Sequence, residues 1–533
     1  MFCNQCEQTA QGRACTVVGV CSKEAAVSNT MDALIYTLRG NALVALKARE
    51  QAPPVVDEAY DMLTCKALFA TLTNVNFSKQ RIAEYVAELV AKRRELLGKL
   101  PARPPVDDIE DVALWIDEHS DKHPNAMHAN PDVQSLMQTI LFGLKGVCAY
   151  LTHAHVLGKF DPAVTAFVHA ALAAGYDGKE RSLEEWVALT LDVGKWNVEA
   201  MRLLNDANAT LGVPAPSPVF IGTKKGHCIL VSGHDLRDLE LLLQQTEGTG
   251  VNVYTHGEML PAHAYPALRK YPHLVGHYGT AWQNQHTEFQ AFPGAILMTT
   301  NCLMKPRAEY ADRLFTTGEV GHVGVLHIDE RKDFAPVIAC ARRCAGFDAD
   351  VQEDEITTGF NYRAVLETDV AGKIVELVKA GRIRKVFVVG GCDGAKPGRN
   401  YYTRVVEQLP KDCIVLTCAC GKFRFFRHKL GDIDGIPRLI DCGQCNDTFS
   451  IIQIAAALAK AFDCGLNDLP VQVILSWYEQ KAVAVLLSLF ALGMKHIKLG
   501  PTLPAFLTPN VMDVLVKSFD IGKITTPEQD IEL

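Results

Sequence analysis

The segment MFCNQCEQTAQGRACTVVGVC opens the chain with four thiols, Cys3, Cys6, Cys15 and Cys21. Cysteines spaced C-x2-C-x8-C-x5-C suit three kinds of chemistry: disulfides, a tetrahedral zinc site, or an iron–sulfur cluster. The N-terminus is polar and lacks an apolar stretch of the secretory type, so a soluble cytoplasmic protein is expected. A reducing compartment disfavours disulfides, and 17 cysteines in 533 residues then point to metal or redox work. Zinc and iron–sulfur stay open on these residues alone. Scattered cysteines such as Cys65, Cys148 and Cys228 read as small buried hydrophobes.

A second set of reactive residues recurs where predicted strands end. VSGHDL places His234 after one strand. YTHGEM places His256 at a strand end and Glu258 two residues on, and TTNCLM ends another strand on Cys302. Further along, VVGGCDG brings Cys392, LTCACGK offers Cys418 and Cys420, DCGQCND offers Cys442 and Cys445, and SWYEQKA gives Glu479 and Lys481. Taken singly, each has a plainer reading: a hydrogen-bonded histidine, a solvated Glu or Lys, a buried thiol, a turn with an incidental cysteine. Those readings leave the recurrence at strand ends unexplained. Open α/β sheets bind ligands beyond the carboxyl ends of their strands, so two facing sheets would gather the set in one cleft. Thiolates, an imidazole and two carboxylates make a mixed sulfur and oxygen donor set. Such a set suits an iron centre with a position open for substrate. In an extended segment Glu479 and Lys481 share a face, where the ammonium would supply protons or pair with the carboxylate.

The elements that must hold these residues fall into three regions. Residues 25–212 read as helical. RIAEYVAELVAKRRELLGKL (81–100) has apolar residues at helical spacing with charges between them. SLMQTILFGLKGVCAYLTHAHVL (135–157) is longer and more apolar, as a central helix would be, and the helix at 182–208 opens with a Ser-x-x-Glu capping box. The proline-rich run GVPAPSPVFIG (212–222) reads as a linker. Beyond it, β-rich runs alternate with helical patterns in two series, from CILVSG to VGVLHI and from KVFVVGGC to HIKLG. That alternation predicts parallel sheets covered by helices. The fold expected is multidomain α and α/β. A helical-bundle domain at 1–220 carries the N-terminal motif, and α/β domains with mainly parallel sheets follow at 221–360 and 361–533. The net charge of −8 is spread without a basic run, which argues against nucleic acid. AVAVLLSLFALGM (482–494) is too short to span a bilayer.

Read together, these stretches resemble the hybrid cluster protein family, also called hydroxylamine reductases, from end to end. MFCNQCEQTA, VGVC, SGHDL, HGEMLPA, TTNC, GGCDGAKPGRNYYT, GDIDGIPR, DCGQCNDTFS, WYEQKAVAVLLSL and LGPTLPAFLTPNV carry the likeness. The resemblance implies two Rossmann-like domains after the helical one, and two clusters. The first would be a 4Fe–4S cubane on Cys3, Cys6, Cys15 and Cys21, because the spacing is similar to the family's tighter branch. The second would be a hybrid 4Fe–2O–2S cluster on His234, Glu258, Cys302, Cys392, Cys420, Cys445 and Glu479, with Lys481 beside it and a persulfide on Cys392. Motif matching favours Cys420 over Cys418 and Cys445 over Cys442, and gives Cys340 and Cys344 no role.

The activity implied is reduction of hydroxylamine to ammonia and water, and of nitric oxide to nitrous oxide. Glu479, Lys481 and His234 are the candidate proton sources. Two other readings stay in view: a nitric-oxide-responsive sensor or protein nitrosylation factor, and a carbon monoxide dehydrogenase-like enzyme, which SGHDL, HGEM and WYEQKA fit poorly. No G-x-G-x-x-G run opens a helix in a βαβ setting, so a separate ferredoxin or flavin/iron–sulfur reductase is expected as electron donor to a monomer. GDIDG (431–435) reads as a turn rather than a calcium loop.

Overall fold

The computed structural model describes residues 1–120, 122–123, 128–368 and 370–531. Seven long helices come first: α1 (Ala25–Arg49), α2 (Glu58–Ala70), α3 (Lys79–Leu97), α4 (Val112–His119), α5 (Pro131–Val156), α6 (Pro162–Ala173) and α7 (Leu183–Asn208). Their starts follow capping chemistry. Ser182 Oγ accepts from the Glu185 N–H at 3.3 Å while the Glu185 carboxylate accepts from the Ser182 N–H at 2.7 Å, which closes the predicted capping box. From Ser135 to Ala154 every residue of α5 is buried, as its apolar sequence requires.

The stretch read as a linker is in part a strand, β1 (Ser217–Thr223). Prolines at 214, 216 and 218 do not forbid this, because β1 pairs antiparallel with the edge strand β8 (Val351–Thr358) and meets β4 at one register position. Between them lie β2 (Cys228–Ser232), β3 (Asn252–Thr255), β4 (Leu274–His277), β5 (Ala295–Met298), β6 (Leu314–Thr317) and β7 (Leu326–Ile328). The sheet order is β7-β6-β5-β2-β3-β4-β1-β8. A second sheet holds β9 (Lys385–Gly391), β10 (Cys413–Thr417), β13 (Leu439–Asp441), β14 (Val471–Ser476), β15 (Ile497–Gly500) and β16 (Gly522–Lys523), in the order β13-β10-β9-β14-β15-β16. All its pairs are parallel. The GDIDG turn joins a small hairpin of β11 (Asp432–Ile433) and β12 (Ile436–Pro437).

In both sheets the winding order reverses once while the strands stay parallel. In the first, the chain winds outward from β2 through β3 to β4, then starts again beside β2 at β5 and winds the other way through β6 to β7; in the second it winds from β9 through β10 to β13, then from β14 through β15 to β16. Each is the doubly wound order, with a crevice where the winding switches, between β2 and β5 and between β9 and β14. The helical layer locks onto the second sheet through the helix Gln480–Ala491, which packs against α5 and α7. Two glycines permit this approach. A Cβ on Gly194 of α7 would sit 2.0 Å from the Leu487 carbonyl oxygen, and one on Gly146 of α5 would sit 2.7 Å from the Ala484 Cβ. Among the described residues no helix is long and apolar enough to cross a membrane.

Candidate metal centres

The N-terminal thiols are folded by local backbone. Cys3 and Cys15 face each other across an antiparallel bridge, N–H to O at 3.1 and 2.8 Å. The Cys6 carbonyl accepts from Thr9 twice, and the Ala10 N–H donates to Cys15 Sγ at 3.5 Å. Gly19 leaves room for Cys21, since a Cβ there would approach its Sγ to 2.9 Å. Burial raises Cys3 to about 11, and neighbouring Cys21 adds to it. Cys6 is pushed well up by burial and then by Cys21, Cys3 and Cys15. Burial and neighbouring thiols hold Cys3 and Cys6 neutral, a penalty that a bound cation would relieve, so the donor set fits a cysteine-held metal centre.

The second set converges from seven separate loops. His234 follows β2, Glu258 opens the 3-10 turn after β3, and Cys302 follows β5. Cys392 follows β9, Cys420 and Cys445 begin 3-10 turns after β10 and β13, and Glu479 follows β14. His234 and Cys302 stand at the switch point of one sheet, and Cys392 and Glu479 at that of the other. Cys302 (φ +74°) and Ala419 (φ +68°), just before Cys420, hold left-handed backbone. Such non-glycine residues cost on the order of 1–3 kcal/mol each and concentrate at functional sites.

One ligand atom each from His234, Glu258 and Cys445 lies within 4.8 Å of the others. His234 Nε2 is 3.9 Å from Glu258 Oε2, while its Nδ1 is fixed 3.2 Å from Thr300 Oγ1. Glu258 Oε2 accepts from the Cys445 N–H at 2.6 Å, but its Oε1 is buried without a partner. Cys420 lies against Cys302 and Cys392, and Cys392 against Glu479 and Cys302. Cys418 turns elsewhere, 3.8 Å from Thr448 Oγ1 and beside Cys442. Cys340 and Cys344 sit one turn apart near the end of the helix Ala335–Arg343, within the core of the first sheet.

Glu479 and Lys481 are 3% and 1% exposed, which removes the reading of solvated surface groups. Of the two only Glu479 is extended (φ −127°, ψ −175°). Glu479 caps the helix Gln480–Ala491 by accepting from the Lys481 N–H at 2.8 Å, and Lys481 lies in its first turn. The Lys481 ammonium donates to Cys445 Sγ at 3.2 Å and to Asn301 Oδ1 at 3.4 Å. Burial works against it, but Cys445, Glu479 and Cys302 outweigh burial and hold its pKa above the usual value. Burial raises Glu258 and Glu479 and drives His234 well down. An orphaned carboxylate oxygen, a neutral imidazole and crowded thiols fit a metal centre with mixed donors.

Residues 1–532 match the Prismane/CO dehydrogenase family. The chain belongs to that family. A member of the set of similar proteins, named hydroxylamine reductase and from Solidesulfovibrio magneticus, is 53% identical and covers 100% of this chain and 99% of its own. Proteins of the same name from Methanocella arvoryzae and Trichormus variabilis are 51% and 50% identical, each over 100% of this chain and 99% of their own. Carbon monoxide dehydrogenase IV from Carboxydothermus hydrogenoformans shares the fold at a TM-score of 0.56 and 16% identity, covering 97% of this chain and 88% of its own. The Ni-free carbon monoxide dehydrogenase of Thermococcus sp. AM4 gives the same TM-score and identity over 99% and 89%.

Several site residues of this family member carry no signal in the sequence. His153 of α5 has its ring 6.1 Å from that of His234 and a buried Nε2 without a partner, and burial lowers it to about 3. Gln444 Nε2 donates to the carbonyls of His234 and Glu258, pinning two loops together. Lys422, 1% exposed, is paired with Asp441 at 2.9 Å near Glu258. Tyr478 stacks on Trp282 at 4.3 Å, and its carbonyl accepts from the Glu7 N–H at 3.0 Å.

Proposed function

We propose that the chain is an iron–sulfur oxidoreductase that reduces hydroxylamine to ammonia and water, and nitric oxide to nitrous oxide. The convergence of His234, Glu258, Cys302, Cys392, Cys420, Cys445 and Glu479 on one buried cleft, with the Lys481 ammonium inside it, carries the reading. The name shared by relatives at about 50% identity supports the substrate. Those seven residues would hold a hybrid iron–sulfur–oxygen cluster, with Cys392 as the persulfide, and Cys3, Cys6, Cys15 and Cys21 would hold a cubane. When bound, the clusters supply the electrons and an open iron for the substrate.

The balance is NH2OH + 2e− + 2H+ → NH3 + H2O, or 2NO + 2e− + 2H+ → N2O + H2O. Lys481 Nζ holds a proton in the cleft, kept there by neighbouring anions. Glu479, raised by burial, is the second acidic group, with its Oε2 anchored on the Lys481 N–H. His234 is turned to ligand work, since Thr300 occupies Nδ1 and Nε2 faces Glu258. Closely packed protein around both glutamates excludes bulk water and makes each proton step depend on these groups. Electrons would come from a separate ferredoxin or flavin/iron–sulfur reductase.

The test is anaerobic turnover by iron-replete protein with a low-potential donor, alongside iron, sulfide and nickel counts. Consumption of hydroxylamine or nitric oxide with two iron centres supports the reading. Full metallation without turnover of either substrate would overturn it, and stoichiometric nickel would turn it toward carbon monoxide chemistry.

A further inference from the structure

Two thiols outside both centres meet at the end of one helix. Cys340 lies in the last turn of the helix Ala335–Arg343, and Cys344 caps it. The Cys344 N–H donates to the Cys340 carbonyl at 3.1 Å, which stacks the two residues one turn apart, and their thiols are in hydrogen-bond contact. Both are free thiols. Cys340 is buried in the core of the first sheet, while Cys344 is half-buried at its margin. Between them in the chain stand the exposed Arg342 and Arg343.

A sealed pair serves as comparison. Cys65 on α2 and Cys148 on α5 also touch, but both are fully buried between helices, where no solute reaches them. At the helix end the two thiols have unlike access. Cys344 meets solvent and can attack an incoming molecule. The covered Cys340, raised to about 11 by burial and then by Cys344, can attack only a sulfur already held beside it. Cβ atoms one helical turn apart lie about 5–6 Å from each other, and a disulfide needs about 3.5–4.5 Å. Cys344 is free to close that gap, because the helix ends at Arg343 and the Cys344 ψ of 157° already leaves the helical range. Arg342 donates to the Thr249 carbonyl, and among the described residues neither guanidinium pairs with a carboxylate. Two such exposed cations favour the approach of an anionic molecule.

We propose that Cys340 and Cys344 form a thiol–disulfide exchange site that takes small anionic disulfides of the glutathione class. The Cys344 thiolate attacks one sulfur of the small disulfide and breaks its S–S bond. The first released thiolate takes the proton that Cys344 gave up. Cys340 then attacks the Cys344 sulfur, expels the second small thiolate and passes its proton to it. Two protein thiols are oxidised to one disulfide, and one small disulfide is reduced to two thiols. Neither cysteine belongs to a metal centre, so the exchange stands apart from the cluster chemistry.

The experiment incubates full-length, iron-loaded protein anaerobically with glutathione disulfide, alkylates the remaining thiols and digests without reductant for mass spectrometry. Trypsin cuts after Arg342 and Arg343, so Cys340 and Cys344 leave on separate peptides unless a bond joins them. Wild type should lose both thiols together and yield the joined peptides, which dithiothreitol separates. Iron content should stay unchanged, and Cys65 and Cys148 should remain thiols. Cys340→Ser should stop with one glutathione held on Cys344, and Cys344→Ser should leave Cys340 unmodified. The wild-type result decides the matter where a variant fails to fold. Cys344 still alkylated after the incubation, or a glutathione adduct there that never passes to Cys340, overturns the proposal. So does a bond from Cys344 to the nearby Cys228.

Discussion

The two centres solve the same problem from opposite directions. The N-terminal thiols lie within 21 residues and are held by a bridge, a turn and one glycine. The cleft draws its donors from seven loops on two sheets, and from backbone as well as side chains. Cys445 N–H binds Glu258, and Gln444 ties His234 to Glu258. A local site needs only its own segment to fold. A dispersed site exists only if both sheets and the helical layer dock in register, so damage far from it should reach it.

That contrast can be broken in several ways. The largest effect is expected at Lys481. Lys481→Met should lower turnover by about 10²–10⁴-fold, the scale of a lost proton donor. Iron content should stay unchanged in both centres; equal turnover by the variant would remove Lys481 from the chemistry. Glu7→Ala breaks a buried pair that connects the regions. Glu7 accepts from Arg399 at 2.8 and 2.9 Å, and Arg399 also bonds Asp393 beside Cys392. A loss of about 3–5 kcal/mol in denaturant unfolding is expected, as for other buried pairs left half-occupied. Cleft iron should fall with the N-terminal iron.

Gly194→Ala sharpens the comparison from the far side. Its Cβ would overlap the Leu487 carbonyl, so the helix capped by Glu479 must shift, at a cost of about 3 kcal/mol. Metal analysis should show the cleft depleted and the N-terminal site filled. The smallest effect concerns acid. Burial lowers His263 to about 4 in the folded chain, while its Nε2 lies 3.0 Å from Thr255 Oγ1. The unfolded chain, with an ordinary value near 6.5, binds the extra proton between those limits. Stability from this residue is present above about pH 6.5 and is lost as pH falls toward about 4, by about 2 kcal/mol from pH 7 to 5. His263→Gln should flatten that part of the unfolding profile.

The two centres also differed in how legible they were. Cysteine spacing marks the first as a candidate from the sequence, because its four thiols are neighbours in the chain. The second showed only as recurrence at strand ends, which hydrophobic runs bounded by glycine made visible at His234, Cys302 and Cys392. The same pattern gave the two parallel sheets. It missed β1, whose prolines mimic a linker, and it placed Glu479 and Lys481 on an extended segment where the carboxylate instead starts a helix. His153 escaped because a polar residue in an apolar helix declares no direction until neighbouring helices pack. Cys418 and Cys420 are two residues apart, and only the left-handed turn at Ala419 settles which thiol meets Cys302.

The hydrogen bond from Gln480 Nε2 to the Gln5 carbonyl, at 2.6 Å, joins positions 475 residues apart. Glu7 reaches Tyr478 in the same place. During synthesis at about 5–20 residues per second, the N-terminal cysteines therefore leave the ribosome on the order of 25–100 s before the segment that covers them exists. For that interval they are bare thiols on a nascent chain. About nine-tenths of the message must be read before the first site made can be closed.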